Sequence, residues 1–239
     1  MIEQLQQAIV KTLGMLAGRM LGKDFERELS ELYIKYRPIE LDYEITEKEK
    51  LLAMEEWYQK CMDLYYKYNL TKDMLDKSID NSNLIFRSGA KEFLKKYQEK
   101  NVPIIILSAG IGNVIERFLK NNDLYNDNVY IISNFLRFDE KGNMKQFKEK
   151  IIQSVNKSID NKYLKEINEK TKGRKYKSLV GDLIEDEKMV PKSEWDTTLK
   201  MAFLDIDMEK NLEKYMKNFD IVFTKGDSNF DNVDKYLFK

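Results

Sequence analysis

The stretch "NVPIIILSAGIGNVIERFLK", Asn101 to Lys120, decides the fold class. An apolar run, Val102 to Leu107, stops at Ser108-Ala109-Gly110, and an amphipathic pattern starts at once. The spacing predicts a strand over 102–107 and a helix over 111–121. A strand that feeds a helix in this way delivers a small hydroxyl residue to the edge of a parallel sheet. Two roles are open for Ser108. It is an ordinary N-cap serine, or its hydroxyl and the following backbone N–H groups hold a phosphate, helped by the helix dipole.

Working outward, the first third of the chain reads as helix. Asp24 is the expected N-cap of "FERELSELYIKY", which should end before Pro38. Thr46 and Glu49 form a capping-box pattern ahead of "KEKLLAMEEWYQKCMDLYYKY". A short helix is expected near 71–78 and another over 88–99. After residue 100 the pattern alternates. Strand-like segments fall at 128–133 and 135–139, with a turn at Glu140 to Asn143. A mixed helical stretch then runs to about Lys172. "YKSLVGD", "MAFLDI" and "DIVFT" are further strands. Alternating strands and helices predict an α/β fold with a parallel sheet covered on both faces. Ligands of such sheets bind at the carboxyl ends of strands, where Ser108 and Asp182 both fall. The expected organisation is an α/β core of residues 1–23 and 86–239, with a helical unit of 24–85.

Composition narrows the chemistry. The 239 residues hold 41 Lys+Arg and 41 Asp+Glu, so no net charge draws the chain to nucleic acid or membrane. The longest apolar runs are too short to span a bilayer. The start, "MIEQLQQAIVKTLGMLAGRM", has no basic n-region and no clear cleavage site, so a cytoplasmic location is expected. With no histidine, Ser-His-Asp and Cys-His catalysis and His-ligated metals are excluded. Cys61 is the sole cysteine, which excludes an intramolecular disulfide and a cysteine zinc cluster.

The acidic groups are the next candidates. "VGDLIEDEKM" carries Asp182 and Asp186 just after a strand. Such a pair either faces a hard cation such as Mg²⁺, with waters and phosphate in the remaining positions, or is a solvated acidic helix start. Asp205-Ile206-Asp207 has a D-x-D form, but Asp207 is well placed to cap "MEKNLEKYMKNF". Lys157 sits in a loop, and spacing alone does not select it among many lysines. The helical unit is rich in aromatics, among them Tyr33, Tyr36, Tyr43, Trp57 and Tyr58, for which core packing is the expectation, with one or two facing a cleft.

Together "YRPIELD", "LLAMEEWYQK", "FRSGAKEFL", "VPIIILSAGIGNVIERFLK", "SNFLRFDEKG", "NKS" and "VGDLIEDEKM" resemble the pyrimidine 5′-nucleotidases of the haloacid-dehalogenase (HAD) superfamily, the cytosolic 5′-nucleotidase III type. The resemblance implies a Rossmann-like parallel-sheet core with an inserted helical cap, residues 24–85. It implies Mg²⁺-dependent dephosphorylation of nucleoside 5′-monophosphates, pyrimidine ones especially, through an aspartyl-phosphate. By matching position, Ser108 and Ala109 hold the phosphate, and Lys157 neutralises phosphate and nucleophile. Asp182 and Asp186 position Mg²⁺. Glu40 reads the base, and Trp57 lies in the aromatic region of the cap. Cys61 stands where the family has a substrate-contacting serine, and Leu183 and Glu185 replace a Ser and a Gly of the fourth motif.

The resemblance implies that the family's first motif, a central strand ending in D-x-D-x-T, supplies the nucleophile, the acid/base and a metal-binding oxygen. The matching region begins near Gly14, and residues 1–13 contain no aspartate. Three explanations follow: an N-terminally shortened nucleotidase lacking its first core strand; an inactive relative that binds nucleotide or phosphate in a regulatory or assembly role; or a substitute carboxylate, with Asp205, Asp207 or Glu185 as candidates. Residues 1–20 have helical rather than strand spacing and are not expected to rebuild that strand.

Overall fold

The computed structural model describes residues 20–147, 151–153, 169–190 and 192–237, save the Trp195 side chain. Three helices come first: α1 (Lys23–Glu40), α2 (Glu47–Lys67) and α3 (Lys72–Asp80). Helix α2 opens with the expected capping box between Thr46 and Glu49. The Thr71 hydroxyl accepts from the Met74 N–H at 3.2 Å to start α3. Helix α1 departs from expectation at both ends. Its N-cap is Gly22, and Asp24 lies in the first turn, paired with Arg27 at 3.0 Å. Pro38 lies inside the helix rather than beyond it. The proline removes one backbone donor, toward the turn of Ile34. That turn faces outward, since the Ile34 side chain is 72% exposed, so water can satisfy the carbonyl.

The alternating part follows. Its elements are α4 (Ala90–Glu99), β1 (Ile104–Ile111), α5 (Gly112–Lys120), β2 (Val129–Asn134), β3 (Lys177–Gly181), β4 (Thr198–Leu204), α6 (Met208–Asn218), β5 (Ile221–Thr224) and α7 (Phe230–Leu237). Short 3₁₀ turns at Ile184–Met189, Lys192–Thr197 and Lys225–Asp227 join some of them. All pairings between these strands are parallel. β1 pairs with β2, and β4 lies between β3 and β5. Among the described residues no backbone ladder joins the two groups, so β1 and β3 are each paired on one side only.

Two expectations are corrected here. Strand β1 does not stop at Leu107; it runs to Ile111, with a register shift between Leu107 and Ile111. Segment 135–139 is not a strand but makes one isolated bridge, Phe138 to Met144. Asn113 Oδ1 accepts from the Leu136 N–H at 2.7 Å, and the segment folds back on its own continuation: the Asp139 N–H donates to the Asn143 carbonyl at 2.9 Å and the Lys145 N–H to the Arg137 carbonyl at 2.8 Å. The Asp139 carboxylate accepts from the N–H groups of Lys141 at 2.9 Å and Asn143 at 2.8 Å, which closes this short turn.

Strand β4 is buried on both faces, as a central parallel strand requires. Met201 and Phe203 pack with Phe223, Phe230 and Val233 on one side. Ala202 and Leu204 pack with Leu179, Tyr215 and Phe219 on the other. A third apolar cluster runs without a break from Phe25, Met54 and Tyr65 of the first helices to Ile106 and Val129 of β1 and β2. Helices α4 and α7 meet at Gly89, which has φ +74° and leaves room for Asp231: a Cβ there would lie 2.7 Å from the Asp231 nitrogen. Gly89→Ala is expected to lower stability by about 1–3 kcal/mol through overpacking and left-handed backbone strain, read as a fall in the midpoint of urea unfolding.

Candidate active site

Ser108 lies in the carboxyl-terminal half of β1 and Asp182 just past the end of β3, the side of a parallel sheet where ligands bind. Ser108 is 3% exposed, and its hydroxyl accepts from the Gly110 N–H at 3.1 Å. It caps no helix. The N-cap position of α5 is Ile111, with no side-chain cap. The last residues of β1, 108–111, are instead held from β2 by side chains. Ser133 donates its hydroxyl proton to the Gly110 carbonyl at 2.8 Å. Asn134 donates to the Ala109 carbonyl at 2.9 Å and to the Ile152 carbonyl at 2.7 Å, and its Oδ1 accepts from the Ile152 N–H at 2.8 Å. Sequence reasoning passed over Ser133 and Asn134 because neither ends an apolar run next to a glycine.

The acidic loop after β3 is built around Asp186, which is 1% exposed. Its Oδ2 accepts from the backbone N–H of Asp182 at 2.9 Å and of Leu183 at 3.1 Å. It does so because residue 181 is glycine: a Cβ there would lie 2.6 Å from the Asp186 Cβ. Asp186 thus shapes the loop from beneath, while Asp182 faces a cleft. One Asp182 carboxylate oxygen, Oδ2, is buried and meets no hydrogen-bond donor among the described residues. An orphaned hard oxygen of this kind fits Mg²⁺, which keeps several waters and takes few protein carboxylates. Among the described residues no cluster of three or more acidic or Cys side chains is close enough to enclose an ion, so Asp182 would be the direct ligand and Asp186 its support.

The cleft beside Asp182, about 120 Å³, lies at the ends of β3 and β4 and is lined by Arg37, Tyr43, Arg87, Asp205, Asp207, Asn211 and Tyr215 among others. Arg87, 9% exposed, donates to Asp205 at 2.8 Å and to the Ser228 carbonyl at 2.8 Å, and it lies 4.3 Å from the Phe203 ring centroid. Asp205 is therefore committed to an ion pair. Asp207 does occupy the N-cap position of α6, but the capping expectation fails in its detail. Its backbone is left-handed, at φ 48°, and its side chain makes no cap hydrogen bond, whereas a capping residue ordinarily has extended backbone.

The residues expected to read the base lie elsewhere. Glu40 forms an ion pair with Arg37, and both side chains are 14% exposed. Trp57 is packed parallel to Tyr36 with ring centroids 6.0 Å apart and edge-on to Tyr33 at 6.2 Å. Cys61 is buried, and burial pushes its thiol up to about 12. Burial likewise raises the Tyr58 phenol well above its usual range. Of the expected residues Asp182 lines the cleft; Ser108, Ala109, Glu40, Trp57, Cys61 and Asp186 do not. Lys157 lies outside the described residues.

Residues 7–238 match the profile of the family described as Pyrimidine 5′-nucleotidase (UMPH-1). The chain belongs to this pyrimidine 5′-nucleotidase family. Among curated relatives, the 7-methylguanosine phosphate-specific 5′-nucleotidase of Mus musculus is 33% identical over 218 residues, covering 88% of this chain and 71% of the mouse protein. The crystal structure of cytosolic 5′-nucleotidase IIIB bound to cytidine superposes with a TM-score of 0.73 at 29% identity, over 89% of this chain and 71% of that one. A HAD family hydrolase of Salmonella enterica serovar Typhi shares the fold at a TM-score of 0.59 and 14% identity, over 96% of this chain and 65% of that one. The fold of this pyrimidine 5′-nucleotidase family member is thus similar to that of the HAD hydrolases, and the mouse relative it resembles is a 5′-nucleotidase. No described helix is long and apolar enough to cross a membrane.

Two outcomes follow from the site's geometry. Gly181→Ala is expected to push the Asp186 carboxylate off the loop N–H groups, costing about 1–3 kcal/mol, measured by urea unfolding. Cys61 is expected to resist an aromatic disulfide reagent at about pH 8 in the folded chain, although an ordinary thiol is partly ionised there, and to react promptly once denaturant is added.

Proposed function

We propose that this chain carries the substrate and cation machinery of a Mg²⁺-dependent phosphohydrolase acting on nucleoside 5′-monophosphates, pyrimidine ones especially, in the cytoplasm. The orphaned Asp182 oxygen at the end of β3, in a chain of this family, is the observation that carries the reading. Ser108, with the backbone N–H groups around Ala109, holds the phosphate, and Lys157 offsets its charge. Asp182 holds the cation, and Asp186 fixes the loop that presents it. Mg²⁺ supplies charge neutralisation for the phosphoryl group when bound. Residues 24–85 act as a cap that excludes water, with Glu40 on the side that discriminates bases and the buried Trp57 and Cys61 in the core of that cap.

The reaction needs a carboxylate to attack phosphorus and a second to protonate the leaving oxygen. No D-x-D-x-T occurs in the 239 residues, and Asp205 is tied to Arg87. The 239-residue form is therefore proposed to bind nucleotide and phosphate without turnover. Supplying a strand that ends in D-x-D-x-T at its N-terminus, to run between β1 and β3, is proposed to restore turnover. The one-sided pairing of β1 and β3 supports such a strand order.

Phosphate release from CMP, UMP and 7-methylguanosine 5′-monophosphate tests this directly. The 239-residue chain should release little or none. The extended chain should release phosphate with Mg²⁺, and Asp182→Asn should abolish that release. Turnover by the 239-residue chain that survives Asp205→Asn and Asp207→Asn would refute the missing-nucleophile reading. Nucleotide binding weakened by Glu40→Ala or Lys157→Ala, with no turnover even in the extended chain, would point to a binding protein with a regulatory or assembly role.

A further inference from the structure

Lys50 is a charged residue that the proposed chemistry does not use, yet it is 3% exposed. It sits in the second turn of α2, and its ammonium lies 2.7 Å from Glu185 Oε1 and 4.6 Å from the centroid of the Tyr43 ring. Removing an ammonium from water is costly unless it is paired, so the burial of Lys50 depends on Glu185 being where it is. Glu185 belongs to the 3₁₀ turn that follows Asp182 and contains Asp186. Its other oxygen, Oε2, is buried and meets no donor among the described residues, so Lys50 is its main compensation.

The same short segment of the helical part makes three more contacts with this region. The Tyr43 hydroxyl lies 3.1 Å from that of Tyr215, and Tyr215 donates its proton to the carbonyl of Asp182 at 2.6 Å. Glu47 pairs with Lys188 at 2.7 Å, and Glu44 pairs with Lys214. Exposed pairs of this kind contribute little. The Lys50–Glu185 pair differs because both groups have left water, so displacing the helices would strand two charges.

We propose that Lys50 is a positioning residue: seated by the first helices, it fixes the Glu185 turn so that the loop presents Asp182 to the cation. Cation affinity at the loop is thereby coupled to the seating of residues 43–50. The inference rests on the reading of Asp182 as a cation ligand. Lys50 is itself a positive charge near an acidic loop, so removing that charge alone would favour a cation, and a cation site weakened by its loss reports the lost support.

Mn²⁺ serves as the probe, its free fraction followed by electron paramagnetic resonance, with amide hydrogen exchange measured on the same 239-residue chain. Lys50→Met is expected to weaken Mn²⁺ binding about tenfold, the scale of losing an outer support of a metal ligand, and to speed exchange in 182–190 and 43–50 together. The swapped pair, Lys50→Glu with Glu185→Lys, is expected to restore much of both. Tyr43→Phe, which keeps the ring and the fold, is expected to speed exchange in 182–190. Unchanged exchange in that loop overturns the proposal, as does Mn²⁺ affinity that stays constant or rises in Lys50→Met. If the unmodified chain binds no Mn²⁺, the reading that Asp182 holds a cation in the 239-residue chain fails instead. The exchange data then still decide whether Lys50 holds the loop.

Discussion

The carboxylate of Asp186 is the group on which the candidate site depends. It is buried against Gly181 and accepts two successive backbone N–H groups just past the end of β3. Those donors would otherwise be orphaned where the ladder stops. By taking them, Asp186 bends the chain away from the sheet and leaves the Asp182 side chain facing the cleft. The two aspartates look equivalent in the sequence, but in the fold one builds the loop and the other is presented by it.

The same division of labour recurs at β1. The end of β1 after Leu107, where the register shifts, is kept extended by Asn134 and Ser133, whose side chains take the carbonyls of Ala109 and Gly110. Ser108 is thus held in a strand end rather than drawn into a helix cap. In both places a backbone segment near the sheet edge is satisfied by a neighbouring side chain instead of by secondary structure. The backbone there is defined by tertiary partners, which is a common way of holding a site rigidly.

The helical part and the sheets are not joined by one type of contact. Apolar packing is continuous from α1 and α2 into β1 and β2, while the link to the β3 loop is largely polar, through Tyr43, Glu47 and Lys50. Apolar burial is non-directional, whereas a buried ion pair has one good geometry. The first attaches the helices, and the second sets their register against the acidic loop.

Local chemistry made much of the order of elements readable from the residues alone. The Thr46–Glu49 box starts α2, Thr71 starts α3, the apolar runs near 104, 129, 179, 201 and 222 are strands, and the Asp182–Asp186 spacing marks the loop after β3. These depend on near neighbours, whose distances the chain itself dictates. What lay beyond the sequence depends on exposure, on local backbone conformation and on groups far apart in it. Pro38 is accommodated because its turn faces water. Asp207 fails to cap because its backbone turns left-handed. Trp57 and Cys61 are interior because Tyr33 and Tyr36 close over the tryptophan and the surrounding helices bury the thiol. Lys50 is buried because Glu185, 135 positions away, waits for it. Sequence by itself determined most of the described elements, the excluded chemistries and the family. Only the tertiary structure decided which polar groups leave water together, because desolvation is a property of what surrounds a group and not of its neighbours in the chain.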